Sequence, residues 1–138
     1  MSINEVILLL GTNLNNKKKN LEDAKMQIEL QIGAQIKESE ITETEPVDFD
    51  SDNLFLNQLL TVKTSLSPIQ LLDKIKVIEK QMGRKYLPTD QNYQDRIIDI
   101  DIIFYNDLTY KSSRLKIPHE QIKTRDFIKK MLNYYLIP

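Results

Sequence analysis

The 138-residue sequence predicts an α+β fold, a ferredoxin-like βαββαβ antiparallel sheet with both helices on one face, followed by a C-terminal helical tail. Three observations carry this: an unbroken apolar run near the N-terminus, two apolar stripes at helical spacing, and later segments whose side chains alternate with a period of two. In chain order they read strand, helix, strand, strand, helix, strand, with neither a linker nor an internal repeat. Residues 1–138 are therefore expected to form one domain. A chain of this length can bury roughly two-thirds of its unfolded surface, and with 41% hydrophobic and 28% charged residues it needs no covalent staple.

Val6-Ile7-Leu8-Leu9-Leu10, closed by Gly11, has the continuous apolarity of a central strand covered on both faces. Residues 13–16 turn the chain. Leu21, Ala24, Ile28 and Ile32 make one stripe along a helix that stops at Gly33. Residues 36–44 are weakly extended and polar, as in an edge strand, and residues 45–53, with Pro46, read as an acidic loop. Over residues 54–64 the alternation sets Leu54, Leu56, Leu60 and Val62 on one face and Phe55, Asn57, Leu59 and Thr61 on the other. The second helix is marked by Ser67 as cap, Pro68 at its first position and Gln70 completing a capping box. Its stripe is Leu71, Leu72, Ile75, Ile78 and Met82, and Gly83 ends it. Residues 84–95 form a second loop, Arg96 leads into a last clear strand over 97–105, and the helical tail opens near His119.

Composition excludes several chemistries. With no Cys there are no disulfides, thiolate zinc sites or Cys nucleophiles, and a single histidine, His119, rules out a His-rich metal cage. Gly11, Gly33 and Gly83 are too few and too far apart for a P-loop or a dinucleotide fingerprint. Any phosphate must then be held by Arg, Lys or His side chains or by a carboxylate-bound metal. The formal net charge of −1 argues against a nucleic-acid partner, yet the charges are unevenly spread. Residues 38–52 hold seven acidic side chains and no basic one, whereas residues 111–130 hold seven basic ones, His119 and only Glu120 and Asp126 as acids. No stretch of about 18 apolar residues occurs and residues 1–5 lack a signal-peptide layout. The expectation is a cytoplasmic monomer without membrane or nucleic-acid contacts.

Within Arg96-Ile97-Ile98-Asp99-Ile100-Asp101-Ile102-Ile103, a period of two puts Asp99 and Asp101 on one face, roughly 6–7 Å apart, and Ile98, Ile100 and Ile102 on the other. On spacing alone this is either the wet face of an edge strand or a divalent-cation site. The continuous apolar face argues for a central strand, and Arg96 stands where it can bind phosphate oxygens that a metal also touches. Oxygen ligands alone favour magnesium. Pro118-His119 with Lys123 and Arg125 reads either as a structural hydrogen-bonding histidine or as an anion site, with His119 and Lys123 on one side if the segment is helical. Phe55 and Asn57 are either a core ring beside a turn-capping amide or a flat platform and in-plane amide for a planar heterocycle. Lys17-Lys18-Lys19 reads as the exposed first turn of a helix.

Taken together these residues resemble the 6-hydroxymethyl-7,8-dihydropterin pyrophosphokinases of folate biosynthesis. The resemblance spans nearly the whole chain. Its landmarks are Gly11-Thr12-Asn13-Leu14, Thr44-Glu45-Pro46-Val47, Phe55-Leu56-Asn57, Ser67-Pro68, Ile78-Glu79 with Gly83-Arg84, the double-aspartate strand led by Arg96, and Ile117-Pro118-His119 with Arg125 and Phe127. It implies an enzyme that moves the terminal pyrophosphoryl group of ATP onto the hydroxymethyl oxygen of a reduced pterin and releases AMP. It further implies two Mg2+ ions on Asp99 and Asp101, with Arg96, His119 and Arg125 on the ATP phosphates and Glu79 near the nucleotide. Ile102 and Lys116 would lend backbone groups to adenine, and Arg84 would belong to a flexible loop closing over the reacting phosphates. For the pterin, it implies a sandwich between Phe55 and Phe127, an amide-edge contact from Asn57, and backbone groups of Thr44 and Val47.

The chain departs from the family pattern in three places. Tyr86 replaces a usual second loop arginine, with Lys85 the nearest charge; Tyr93-Gln94-Asp95 stands for Trp-Gly-Pro after a longer loop; and Asp48 replaces a glycine. A relative that binds ATP and pterin but transfers slowly, and an RNA-binding ferredoxin-like module, are the competing readings. Against the second, the first strand carries no aromatic residue.

Overall fold

The computed structural model describes residues 2–46, 53–84 and 95–137. Five strands form one antiparallel sheet. β1 (Asn4–Thr12) lies between β4 (Phe55–Thr64) and β5 (Asp99–Tyr105), and both β2 (Gly33–Glu38) and β3 (Thr42–Thr44) pair with the far side of β4, giving the order β2-β4-β1-β5. Helices α1 (Lys17–Gln31) and α2 (Pro68–Gln81) complete the βαββαβ order; β6 (Tyr110–Lys111), β7 (Lys116–Ile117), a single 3-10 turn (Glu120–Ile122) and α3 (Asp126–Tyr135) follow. Among the described residues no helix is long and apolar enough to cross a membrane.

The two faces of the sheet are covered differently. Even-numbered residues of β1 and β4 (Val6, Leu8, Leu10, Leu60, Val62), with Ile98, Ile100 and Ile102, pack against the α1 stripe (Leu21, Ala24, Ile28) and the α2 stripe (Leu71, Ile75, Ile78). Among the described residues the opposite face is covered by α3 and by Ile122 of the 3-10 turn, and there Leu9, Leu59 and Ile103 meet Ile128, Met131, Leu132 and Tyr135. One ten-residue helix reaches only part of that face. Gly11, Phe55, Asn57, Asp99 and Asp101 lie at the end it leaves uncovered.

Both stripes and the capping box form as the spacing predicts: Ser67 Oγ accepts from Gln70 N at 3.3 Å and Gln70 Oε1 from Ser67 N at 2.9 Å. Four expectations need correction. The polar edge strand starts earlier, at Gly33, and is interrupted between β2 and β3, where Ser39 Oγ and N bond Leu59 N and O at 2.9 Å each. Gly33 is required by close approach, since a Cβ there would lie 1.9 Å from Lys63 O; Gly83, at φ +97°, is the left-handed helix end. β5 is an edge strand, apolar because both of its faces are covered. Side chains and loop backbone also occupy its free edge: Ile100 N donates to Glu79 Oε2 at 2.8 Å and His119 N to Ile103 O at 3.1 Å. Finally, the segment after Pro118 is not α-helical at once. His119, at φ −60° and ψ 130°, caps the 3-10 turn and Lys123 closes it, so the two do not share a helix face.

Two substitutions separate these glycine roles. Gly33→Ala drives a methyl into backbone and is expected to cost about 3 kcal/mol, whereas Gly83→Ala, with open space around it, should cost about 1–2 kcal/mol for the left-handed backbone alone. Urea unfolding of both variants checks the ranking.

Candidate active site

Among the described residues, the end of the sheet that α3 does not reach forms a cleft lined by Gly11, Thr44, Phe55, Asn57, Arg96, Asp99, Asp101, Arg125 and Phe127. Strand register creates it: Gly11 is opposite Asn57 on one side and Asp99 on the other. A Cβ at Gly11 would stand 3.4 Å from Asn57 Oδ1 and 3.8 Å from Phe55 Cδ1, so the missing side chain leaves the cleft floor open. Asn57 Nδ2 donates to Thr42 O at 3.1 Å and Thr44 Oγ1 at 2.8 Å. Its donors thus serve β3, and the carbonyl oxygen is the end beside Gly11. The Arg96 guanidinium sits over the Phe55 ring, 5.5 Å from its centroid, in a cation–π arrangement.

A ladder of charges supports Asp99. Arg84 Nη1 reaches Asp99 Oδ1 at 2.7 Å and Glu79 Oε2 at 2.9 Å, while Arg96 Nη1 reaches Asp99 Oδ2 at 3.3 Å. Burial works against ionising Asp99, but the two guanidinium groups overcome it and hold the carboxyl below its usual range. Asp101 is pushed well above that range by burial, then by the negative charges of Asp99 and Glu79, against a weaker opposing pull from Lys76. The two neighbouring carboxylates thus differ in proton affinity. His119 Nδ1 accepts from Gln121 N at 3.1 Å, which puts the proton of the neutral ring on Nε2, 3.8 Å from Asp101 Oδ1. Burial lowers the affinity of this ring for a second proton.

Asp101 also borders a second cleft along the outer edge of β5, lined by Lys76, Ile102, residues 112–116, His119 and Glu120. Ile100 N points outward to Glu79, and antiparallel alternation turns the backbone groups of Ile102 to the same edge. The side chain of Lys116 pairs with Glu120 at 2.9 Å. One carboxylate therefore lies where two clefts meet.

A family model described as 7,8-dihydro-6-hydroxymethylpterin-pyrophosphokinase (HPPK) matches residues 7–135. The chain belongs to the HPPK family. It is 33% identical over 129 residues to the 2-amino-4-hydroxy-6-hydroxymethyldihydropteridine pyrophosphokinase of Porphyromonas gingivalis, covering 93% of this chain and 88% of that one. With the enzyme of the same name from Aquifex aeolicus it shares 37% over 122 residues, 88% of this chain and 74% of that one. An Arabidopsis thaliana folate synthesis bifunctional protein is 37% identical over 125 residues, and there this chain covers 90% of itself but spans only 25% of its relative. A crystal structure of Plasmodium falciparum HPPK-DHPS superposes with a TM-score of 0.72 at 23% identity, over 98% of this chain and 40% of that one, and shows the fold alone.

Of the site residues expected from sequence in this HPPK chain, the first cleft gathers Thr44, Phe55, Asn57, Arg96, Asp99, Asp101, Arg125 and Phe127, and the second Ile102, Lys116 and His119. Arg84 and Glu79 stand beneath them. Arg84 is 7% exposed and Glu79 fully buried, so here they brace Asp99 and Ile100 N from inside. Val47, Asp48, Lys85, Tyr86, Tyr93 and Gln94 lie outside the described residues. Sequence reasoning missed Lys76, although its place one turn before Glu79 on the α2 face was available as a signal, and it missed the work of Asn13.

The proton imbalance gives a test. A carboxyl whose folded affinity for protons is raised costs stability at pH values above its unfolded pKa, and that cost vanishes at lower pH. Without added metal, Asp101→Asn is expected to raise Tm near neutral pH, with the gain shrinking to nothing below pH 3.8, the ordinary carboxyl value. Thermal unfolding at several pH values in EDTA reads this.

Proposed function

We propose that residues 1–138 act as a single pyrophosphokinase domain that transfers the terminal pyrophosphoryl group of ATP to the hydroxymethyl oxygen of 6-hydroxymethyl-7,8-dihydropterin, giving AMP and the pterin diphosphate for folate biosynthesis. Family membership supports the reaction class. The observation that carries the reading within the molecule is the meeting of two clefts at Asp101, because a donor and an acceptor must be brought together there.

The first cleft suits a pterin: Phe55 and Phe127 offer ring faces, and Asn57 Oδ1 and the Thr44 segment offer in-plane polar partners. A ring that lacks the matching donors would leave those buried groups unpaired. The second cleft suits the adenosine end of ATP, with Ile102 and Lys116 placed for backbone contacts. The triphosphate would then cross Asp99 and Asp101, flanked by Arg96, His119 and Arg125. Neutral His119, its proton on Nε2, donates to a phosphate oxygen without adding charge, whereas Arg96 and Arg125 supply charge.

Asp99 and Asp101 offer hard oxygen ligands on one face, and Asp101 carries the electrostatic cost of that pairing. No cluster of three or more His, Cys, Asp or Glu ligands occurs among the described residues, which suits an ion that takes its remaining ligands from water and phosphates. Two Mg2+ ions held there would neutralise charge developing on the phosphates. The chain's own part is positioning: it aligns the pterin hydroxymethyl oxygen with the β-phosphorus, so that the new oxygen–phosphorus bond forms as the bond to the AMP oxygen breaks. The same reading takes the chain as a cytoplasmic monomer.

Incubation with ATP, Mg2+ and 6-hydroxymethyl-7,8-dihydropterin, with nucleotides resolved by anion exchange, is expected to give pterin-dependent AMP. ADP as product would defeat the reaction class. Folded Asp99→Asn and Asp101→Asn variants are expected to lose about 10²–10³-fold in kcat. Near-normal turnover in either would defeat the metal assignment.

A further inference from the structure

Backbone pairing of β1 with its two neighbours stops at Thr12 opposite Leu56 and at Gly11 opposite Asp99. The next residue, Asn13, continues the bridge with its side chain. It is 1% exposed, donates through Nδ2 to Asp95 Oδ1 at 2.7 Å and to Asn53 O at 3.3 Å, and accepts at Oδ1 from Arg96 N at 2.7 Å. Its backbone N donates to Arg96 O at 3.1 Å, and Asn53 Nδ2 donates to Asp95 Oδ2 at 3.3 Å. The approach to β4 is also held by Lys17 Nζ on Leu54 O at 3.0 Å. Asn13 thus clamps the chain two residues before Phe55 and the residue next to Arg96, whose guanidinium then lies over the Phe55 ring.

We propose that Asn13 is a positioning residue that sets the pterin platform and the phosphate-binding arginine against each other, so that one side chain touching neither substrate governs affinity for both. This rests on the pyrophosphokinase reading above. The amide is suited to the task because it must donate toward Asp95 and accept from Arg96 N at once. An acid at 13 facing Asp95 would put two carboxylates together, whereas exchanging acid and amide restores one donor–acceptor pair between the two side chains with its direction reversed, at the loss of the longer bond to Asn53 O.

Binding of α,β-methylene ATP with Mg2+ and of 6-hydroxymethyl-7,8-dihydropterin is measured separately by calorimetry on wild type, Asn13→Ala, Asn13→Asp and the double variant Asn13→Asp/Asp95→Asn. Gly33→Ala, which disturbs the far end of β4, serves as the control for lost stability. The expected result is a loss of about 10-fold in affinity for each ligand in Asn13→Ala and in Asn13→Asp. At least half of that loss, as a logarithm, should be recovered in the double variant, and none should appear in Gly33→Ala. Affinities within twofold of wild type in folded Asn13→Ala, loss confined to one ligand, a double variant no better than Asn13→Asp, or an equal loss in Gly33→Ala each overturns it. Pterin-dependent AMP from the wild type distinguishes failure of this inference from failure of the reaction assignment.

Discussion

Two carboxylates on one face of an edge strand repel each other, and much of the structure around β5 serves to keep them there. Arg84 and Arg96 engage both oxygens of Asp99, Glu79 anchors Arg84 and the backbone of Ile100, and Asp101 is left with its proton affinity raised. Native structures retain such an unfavourable arrangement where the site needs it. The charge ladder fixes two guanidinium groups at this end of the sheet, so that their positive charge is held in place by the fold itself.

The second constraint is coverage. Among the described residues α1 and α2 cover one face of the sheet, and α3 covers part of the other. The uncovered part falls at the end of β1 and the starts of β4 and β5, so residues distant in sequence converge there, with Gly11 opposite Asn57 and Asp99. A side chain at Gly11 would close the floor, and a longer helix packed further along the sheet would close the cleft. The position of the cleft is therefore set by what the core of the described residues does not cover.

Much of this was legible along the chain. The apolar run of β1, the stripes of α1 and α2, the Ser67–Gln70 capping box and the alternation over β4 are local patterns, set by side-chain periodicity and capping chemistry. The same-face placement of Asp99 with Asp101 and of Phe55 with Asn57 follows from a period of two and needs no partner to fix it. The family landmarks, read in order, pointed to the family and supplied an expected set of site residues.

Tertiary packing decided the rest. An apolar strand looks central in sequence, but β5 is an edge strand whose free edge is occupied by Glu79 and by the backbone of His119, contacts 21 and 16 residues away in the chain. No local pattern encodes that the cap of a 3-10 turn fixes the His119 tautomer, that Gly33 is needed because Lys63 O crosses it, or that Asn13 clamps two distant strand starts. Periodicity determined which way each side chain faces; which groups it meets was settled only when strand order, register and the short reach of α3 brought the segments together.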